Sequence, residues 1–480
     1  MRMAHDRSAG LLHSPADAEQ GLDPFAGPFA PDPGLAELLQ EASQLLVDWL
    51  GDSHRCSPRP NLSLEPPAVP ELQPLGRGQL LTDLRALMGG AYRANHYGAL
   101  AHLDPPALSV SIAADLVASG LNNNLLAQEL SPSLSRLERR LCRWFASRLG
   151  LGPAATGVPA SGGSLSNLMA LVCAREQAGL QGDQRAVVFT GAAAHVSLDK
   201  ALRVMGLPRE SLWRLPLDAN GRLQPQVVEA ALQRAHAEGL RPMALVALAG
   251  TTVQGMVDPL GPLAELCRRQ GLWLHVDGAI GAVCGLVEGQ RWRVAGVEAA
   301  DSVTINPQKL LGVSKPSSLL LLRDGDLLQR SFATGLPYME PVEGVQGGEL
   351  GLQGTRPAEV LKLWLSLRHL GLQGIDQLLS QAFARAERLR QLLTAPQLQV
   401  LPGDLHLVSL GLRHSDPTAA SAWRERCHQA LLQQHFWLSK PDLHGQPLLK
   451  AVLGNPFTSE AHLEQLAAII NSTAQESSHE

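Results

Sequence analysis

The stretch from residue 262 to 281, PLAELCRRQGLWLHVDGAIG, decides the fold class. Its first half repeats apolar residues at helical spacing and ends on Gly271, a residue suited to a helix C-terminus. Its second half, 272–277, is an apolar run too short for a helix, and it ends on Asp277 followed by the small residues Gly278, Ala279 and Gly281. Helix, then strand, then an open turn is the reading. Similar runs occur at 185–190 (RAVVFT), 243–249 (MALVALA), 302–306 (SVTIN) and 317–322 (SSLLLL). Strands that are apolar throughout, with helices between them, predict an α/β fold whose mostly parallel sheet is sandwiched by helices. In such sheets ligands bind beyond the carboxyl ends of the strands, so the residues just after each run are the candidates for chemistry.

Composition narrows the rest. The chain has 480 residues, 45% apolar and 18% charged, which is enough to bury a large core and excludes wholesale disorder. Forty basic against forty-five acidic residues give a net charge of −5, with no long run of either sign. Nucleic acid and membrane surfaces are therefore not expected partners. Six scattered cysteines form no CxxC pair, so neither a metal site nor a disulfide framework is expected. The first thirty residues lack the apolar segment of a signal peptide, and no apolar stretch is long enough to span a bilayer. A reducing, cytoplasmic setting is the expectation.

Residues 1–34, rich in Ala, Pro, Gly and Asp, read as a flexible arm. Residues 35–90 read as a helical N-terminal segment with a Pro-rich connector inside it. Residues 91–372 carry the strand–helix alternation and form the large domain, closed by the helix AEVLKLWLSLRHLG. Residues 373–480 read as a smaller α+β domain.

Four segments of the large domain carry chemistry. In TGVPASGGSLSNLMALVCARE, Ser161, Gly162, Gly163 and Ser164 open a helix, and a helix N-terminus with glycines and a hydroxyl makes a phosphate cradle. The same turn also reads as a plain helix cap. In LHVDGAIGAV, Asp277 ends a buried strand, where a carboxylate is costly without a partner. It reads either as a helix-capping acid or as the acid that keeps a ring nitrogen protonated. In VTINPQKLLGVSKPSSLLLL, Lys309 lies in apolar sequence between two strands, which suits Schiff-base chemistry. Lys315 competes with it but precedes Pro316 in a turn that reads as exposed. In GAAAHVSLDKALRVMG, His195 precedes a helix expected to be N-capped by Ser197, and a structural role for this histidine fits equally. Taken in order, a cradle, a histidine, Thr251–Thr252 after a strand, an acid and a lysine are what a pyridoxal-phosphate site needs.

In that order the chain resembles the group II pyridoxal-phosphate-dependent amino-acid decarboxylases, such as the aromatic-amino-acid, glutamate and diaminobutyrate enzymes. The matching segments are HYGALAHLDPP, GVPASGGSLSNLMAL, AHVSLDKA, ALAGTTVQGMVDPL, HVDGAIG, NPQKLLGV, LQGTRPAEVLKLW and LLKAVLGNPFT, across about 85–470. The resemblance implies a fold type I architecture and pyridoxal 5'-phosphate as cofactor. It further implies decarboxylation of an L-amino acid to its amine and CO2, and a homodimer with the active site at its interface. It implies a Schiff base at Lys309, Asp277 on the pyridine nitrogen, and His195 and Ala279 on the two ring faces. Gly162, Gly163, Ser164 and Asn306 are implied to hold the phosphate, and Thr251 to touch the cofactor. The polar segment LLQRSFATGLPYMEPVEG resembles the family's mobile catalytic loop. Tyr338 within it, 29 residues past Lys309 (338 − 309), is implied to protonate the carbanion. The alternative for this tyrosine is a loop-packing role.

The chain departs from the family in three places. Gln308 stands where a histidine usually precedes the lysine. Gly278 replaces an alanine, which reads as sterically harmless. Lys450 stands where relatives place an arginine that holds a substrate carboxylate; lysine offers a point charge in place of a bidentate fork. Candidate substrate-pocket residues are His96, His102, Leu103, Asp104 and Lys450, and Asp104 suggests a substrate with a distal amine. Two other readings stay open: a pyridoxal-phosphate aminotransferase or carbon–carbon lyase, and an inactive homologue acting as a binding protein.

Overall fold

The computed structural model describes residues 25–60, 63, 65, 72–340, 344–413 and 416–476. Most of the expected arm, residues 1–24, lies outside the described residues, as do 341–343 of the expected catalytic loop. The chain divides into two units, and the smaller one, within residues 1–55 and 60–92, holds helices α1 (Pro33–Gly51) and α2 (Arg77–Gly89). Asp32 caps α1 by accepting the Leu35 N–H at 2.8 Å, and Pro33 fills the first turn, where its missing N–H costs nothing. The two helices are joined by a Trp49 Nε1 hydrogen bond to the Met88 carbonyl (2.7 Å) and by Arg77 against Glu37 and Glu41. No residue of either helix is buried, and Leu35, Leu38, Val47, Leu80, Leu84 and Leu87 are exposed.

The larger unit, residues 56–59 and 93–480, begins with α3 (Ser109–Leu121) and α4 (Pro132–Arg148). Strands and helices then alternate: β1 (Thr156–Ala160), α5 (Gly163–Ala178), β2 (Ala186–Gly191), α6 (Ser197–Val204), β3 (Leu212–Leu215) and α7 (Pro225–Ala237). There follow β4 (Arg241–Leu248), α8 (Leu260–Gln270), β5 (Trp273–Gly278), the short α9 (Glu288–Arg291), β6 (Ser302–Ile305), β7 (Ser318–Leu322) and α10 (Asp326–Phe332). Gly271 ends α8 in the left-handed region (φ 62°), as its sequence predicts.

These strands form one seven-stranded sheet in the order β1-β7-β6-β5-β4-β2-β3, the fold type I α/β arrangement. β3, β2, β4, β5 and β6 are mutually parallel, whereas β7 runs antiparallel to both β6 and β1. The reversal has a local cause. A parallel return needs a crossover, usually a helix, and the link from Asn306 to Ser317 holds none, so the chain doubles back. Strands β1 and β3 do not stand out in the sequence, because one contains Pro159 and the other is half-exposed.

Apolar side chains bury both faces. α5, α6 and α10 cover one, packing Met169, Leu171, Leu198 and Leu328 on the strands. On the other, Phe145, Leu232, Leu263 and Leu379 of α4, α7, α8 and α11 (Val360–Leu392) join the largest core. α11 breaks at Gly371, whose backbone (φ 58°, ψ 179°) is open to glycine alone. Its second half leads to β8 (Leu398–Val400), β9 (Leu407–Leu412), α12 (Pro417–Gln433), a small hairpin of β10 (Asp442–Leu443) with β11 (Gln446–Pro447), β12 (Leu449–Val452) and α13 (Glu460–Glu476). β8, β9 and β12 make a three-stranded antiparallel sheet around a separate core containing Trp423, Phe436 and Leu463. No helix among the described residues is long and apolar enough to cross a membrane.

Candidate active site

At the carboxyl ends of the parallel strands lies a cavity of about 390 Å³. Ser161 and Gly162 reach it from the end of β1, His195 follows β2, Gly250 and Thr251 follow β4, Asp277 ends β5, and Asn306 and Lys309 follow β6. One cavity thus collects residues spread over more than a hundred positions of sequence.

The glycine–serine turn is shaped for close approach. Gly162 holds φ 141°, a backbone closed to other residues, and starts α5, whose first N–H groups have no intrahelical partner. A Cβ on Gly163 would lie 2.9 Å from Asn306 Nδ2 and 3.6 Å from Ala279 Cβ. Asn306 Oδ1 accepts the Ser318 hydroxyl at 2.6 Å, so its Nδ2 is left as a donor toward the turn. Helix N–H groups, the Ser164 hydroxyl and this amide together favour an anion.

Asp277 is buried, and both its oxygens are engaged. Oδ2 accepts Asn167 Nδ2 at 2.8 Å and Oδ1 accepts the Ala279 N–H at 3.2 Å. In the same cavity the side-chain amine of Lys309 has no hydrogen-bond partner among the described residues. Burial lowers its pKa, against the opposing attraction of Asp277 and Asp104. A larger neutral fraction makes its amine a nucleophile. His195 also lines the cavity, and burial lowers its pKa too, with Asp277 opposing. Its Nδ1 accepts the Ser197 N–H at 3.1 Å. The expected cap is therefore corrected: Ser197 is the first residue of α6 and makes no side-chain cap bond. Its hydroxyl instead accepts from Asn167 (3.0 Å), while the His195 ring takes the backbone N–H.

The remaining expected residues scatter. His102, Leu103 and Asp104 line a narrow cleft that shares Lys309 with the main cavity. Asp104 is paired with Lys315 at 2.9 Å, with both side chains partly exposed. Lys450 is buried and donates to the carbonyl of Thr252, a wall residue, at 3.3 Å. Burial, aided by repulsion from Lys309, brings its pKa down to about 8. His96 lines neither cavity; its Nδ1 accepts the Gly98 N–H (2.9 Å) and its ring packs on Tyr97, a structural placement. Tyr338 is 70% exposed and also lines neither. Gln308 Oε1 accepts the Ser317 N–H at 2.6 Å, pinning the lysine loop where the family has histidine. Gly278 is more constrained than its sequence suggests: a Cβ there would sit 2.5 Å from Ala282 Cβ and 2.8 Å from the Thr304 carbonyl.

A family profile described as the pyridoxal-dependent decarboxylase conserved domain matches residues 60–411. The chain belongs to the pyridoxal-dependent decarboxylase family. It is 30% identical over 394 residues to the aromatic-L-amino-acid decarboxylase of Bacillus atrophaeus, covering 80% of this chain and 82% of the relative. It is likewise 30% identical over 402 residues to the L-2,4-diaminobutyrate decarboxylase of Rhizobium meliloti (strain 1021), covering 82% and 81%. Among solved structures, mouse CSAD in apo form superposes with a TM-score of 0.84 at 26% identity, covering 92% of this chain and 99% of that one. This decarboxylase is therefore a carboxy-lyase that uses pyridoxal 5'-phosphate.

The cavity fits that cofactor. It offers a glycine-lined helix N-terminus for a phosphate, a fixed buried carboxylate for a ring nitrogen and an unpaired amine for an aldehyde. What sequence reading missed in the decarboxylase is the support beneath these groups: Asn167, His275 and Thr304. Their signal was present, as polar residues set in otherwise apolar runs (LSNLMAL, LWLHVD, SVTIN).

Proposed function

We propose that this chain decarboxylates an L-amino acid, with Lys309 joined to the cofactor aldehyde, Asp277 at the ring nitrogen and His195 and Ala279 on the ring faces. Gly162, Gly163, Ser164 and Asn306 hold the phosphate, and Thr251 contacts the cofactor. The observation that carries the reading is the meeting of Lys309, Asp277 and the α5 N-terminus in one cavity at the strand ends. When bound, pyridoxal phosphate supplies the electron sink for the pair left on Cα as CO2 departs. The protein's tasks are to orient the scissile bond, keep water away and return a proton to Cα.

Proton return is assigned to the Tyr338 hydroxyl. Tyr338→Phe should lower amine and CO2 release by about 100-fold or more, the scale of a lost general acid, while the cofactor's visible absorbance stays intact. Unchanged CO2 release in that variant sinks the assignment. A Tyr338 exposed in one copy of the chain, and apolar side chains exposed along α1 and α2, support a homodimer that completes the site. Sedimentation equilibrium tests this, and a monomer with full activity would overturn it. Six unpaired cysteines support a reducing, cytoplasmic setting.

Lys450 is assigned to a substrate carboxylate, which it binds only when protonated. Because its pKa is lowered to about 8, the charged form is lost as pH rises through that value. KM is expected to climb above pH 8 by up to about tenfold per unit, following the charged fraction. Lys450→Arg should flatten that limb, since a guanidinium stays charged. A KM–pH profile identical in both proteins contradicts the role.

A further inference from the structure

We propose that Asn167, held by His275 and Thr304, is a positioning residue that aims the Asp277 carboxylate at the ring nitrogen of bound pyridoxal phosphate. This rests on the proposed role of Asp277 and extends it to Asn167, which lines the cavity and bonds that carboxylate, and to His275 and Thr304 behind it.

The side chain of Asn167 is buried, one turn into the helix whose N-terminus forms the anion cradle. All four of its hydrogen-bonding positions are used. Nδ2 donates to Asp277 Oδ2 (2.8 Å) and to Ser197 Oγ (3.0 Å). Oδ1 accepts from Thr304 Oγ1 at 2.7 Å and lies 3.1 Å from His275 Nε2. A carboxylate can only accept, so it compels Nδ2 to face it and turns Oδ1 toward β5 and β6. Two acceptors cannot pair, so His275 carries its proton on Nε2 and its Nδ1 is an acceptor. Ser302 Oγ, 2.9 Å from that Nδ1, therefore donates to it while accepting Trp273 Nε1 at 3.0 Å. The chain Trp273–Ser302–His275–Asn167–Asp277 has one self-consistent sense.

Burial keeps the His275 pKa low, so no cation behind the acid competes with the cofactor for its charge. The second bond to the carboxylate, from the Ala279 N–H at 3.2 Å, fixes the other oxygen. Two contacts stop rotation and still leave each oxygen a lone pair for the cavity. Because α5 supplies both the cradle and Asn167, the spacing between the cofactor's phosphate anchor and its nitrogen anchor is set by one rigid helix.

The test uses full-length apoprotein titrated with pyridoxal phosphate, reading its dissociation constant and the pH midpoint of the visible band. Asp277→Asn calibrates both readouts. Asn167→Leu is expected to raise the dissociation constant about tenfold, the scale of a hydrogen bond to a charged group, and to move the midpoint in the same direction as Asp277→Asn. His275→Phe should shift the midpoint likewise, and His275→Gln, which returns an N–H at the same reach, should restore it. The His275 pair carries the test should Asn167→Leu not fold. If Asp277→Asn moves the midpoint but the Asn167 and His275 variants do not, the positioning role is overturned and the proposed site stands. If Asp277→Asn itself moves neither readout, the role given to Asp277 is what fails.

Discussion

A Lys309→Ala protein is expected to lose the visible absorbance of covalently held cofactor and to release CO2 at least about 1000-fold more slowly, as when a covalent catalyst is removed. The cause is electrostatic. The side-chain amine of Lys309 has no hydrogen-bond partner among the described residues, and burial lowers its pKa, so a larger fraction of it is neutral than for an exposed lysine. Alanine removes that amine and leaves the cradle and Asp277 intact, so cofactor still binds but is not covalently held. Lys315→Ala is the matched control, because Lys315 is exposed and paired with Asp104 outside the main cavity. A Lys309→Ala protein that kept the band, or a Lys315→Ala protein that lost it, would transfer the role to the other lysine.

The largest stability effect is expected at Arg356, in the segment LQGTRPAEVLKLW. Its guanidinium forms a bidentate pair with Glu138 of α4 at 2.5 and 2.6 Å, and both side chains are about 5% exposed. The Arg356 carbonyl also accepts the Leu125 N–H, which ties this segment to the loop between α3 and α4. Arg356→Met leaves Glu138 buried without its counter-ion, a loss of roughly 3–5 kcal/mol. The double change Glu138→Leu with Arg356→Met removes the stranded charge and should recover most of that loss. Urea unfolding midpoints at constant slope measure both. Equal destabilisation by the single and double changes would show that packing, rather than the unpaired acid, sets the cost. Neighbouring Lys362, buried against Asp115 at 3.2 Å, belongs to the same charge-bearing seam. Arg356 and Lys362 of this motif thus carry ion pairs that its sequence resemblance did not specify.

Much of the site was legible because its groups sit where local pattern changes. Asp277 ends an apolar run, Lys309 interrupts one, and Gly162–Gly163 break strand from helix. Each is visible within ten residues. Two features needed long-range information. Asp104 looked free until its partner Lys315, far along the chain, was placed beside it. Gly278 reads as a sterically harmless replacement, and only the structure shows that the Ala282 methyl and the Thr304 carbonyl fill the space a side chain there would need. His96, grouped with the substrate residues by proximity in sequence, packs on Tyr97 with its ring 6.0 Å from that of His435.

By itself, then, the order of apolar runs and turn residues determined the α/β class, the edge of the sheet where the cavity lies, and the acid and amine that line it. Those are properties of periodicity, which neighbouring residues encode. The tertiary structure decided the reversed direction of β7, the pairing of Asp104, and the polar relay from Trp273 to Asp277. Each of these depends on which distant side chains are packed into hydrogen-bond reach, and an acceptor or donor gains its meaning only from the partner that burial forces upon it.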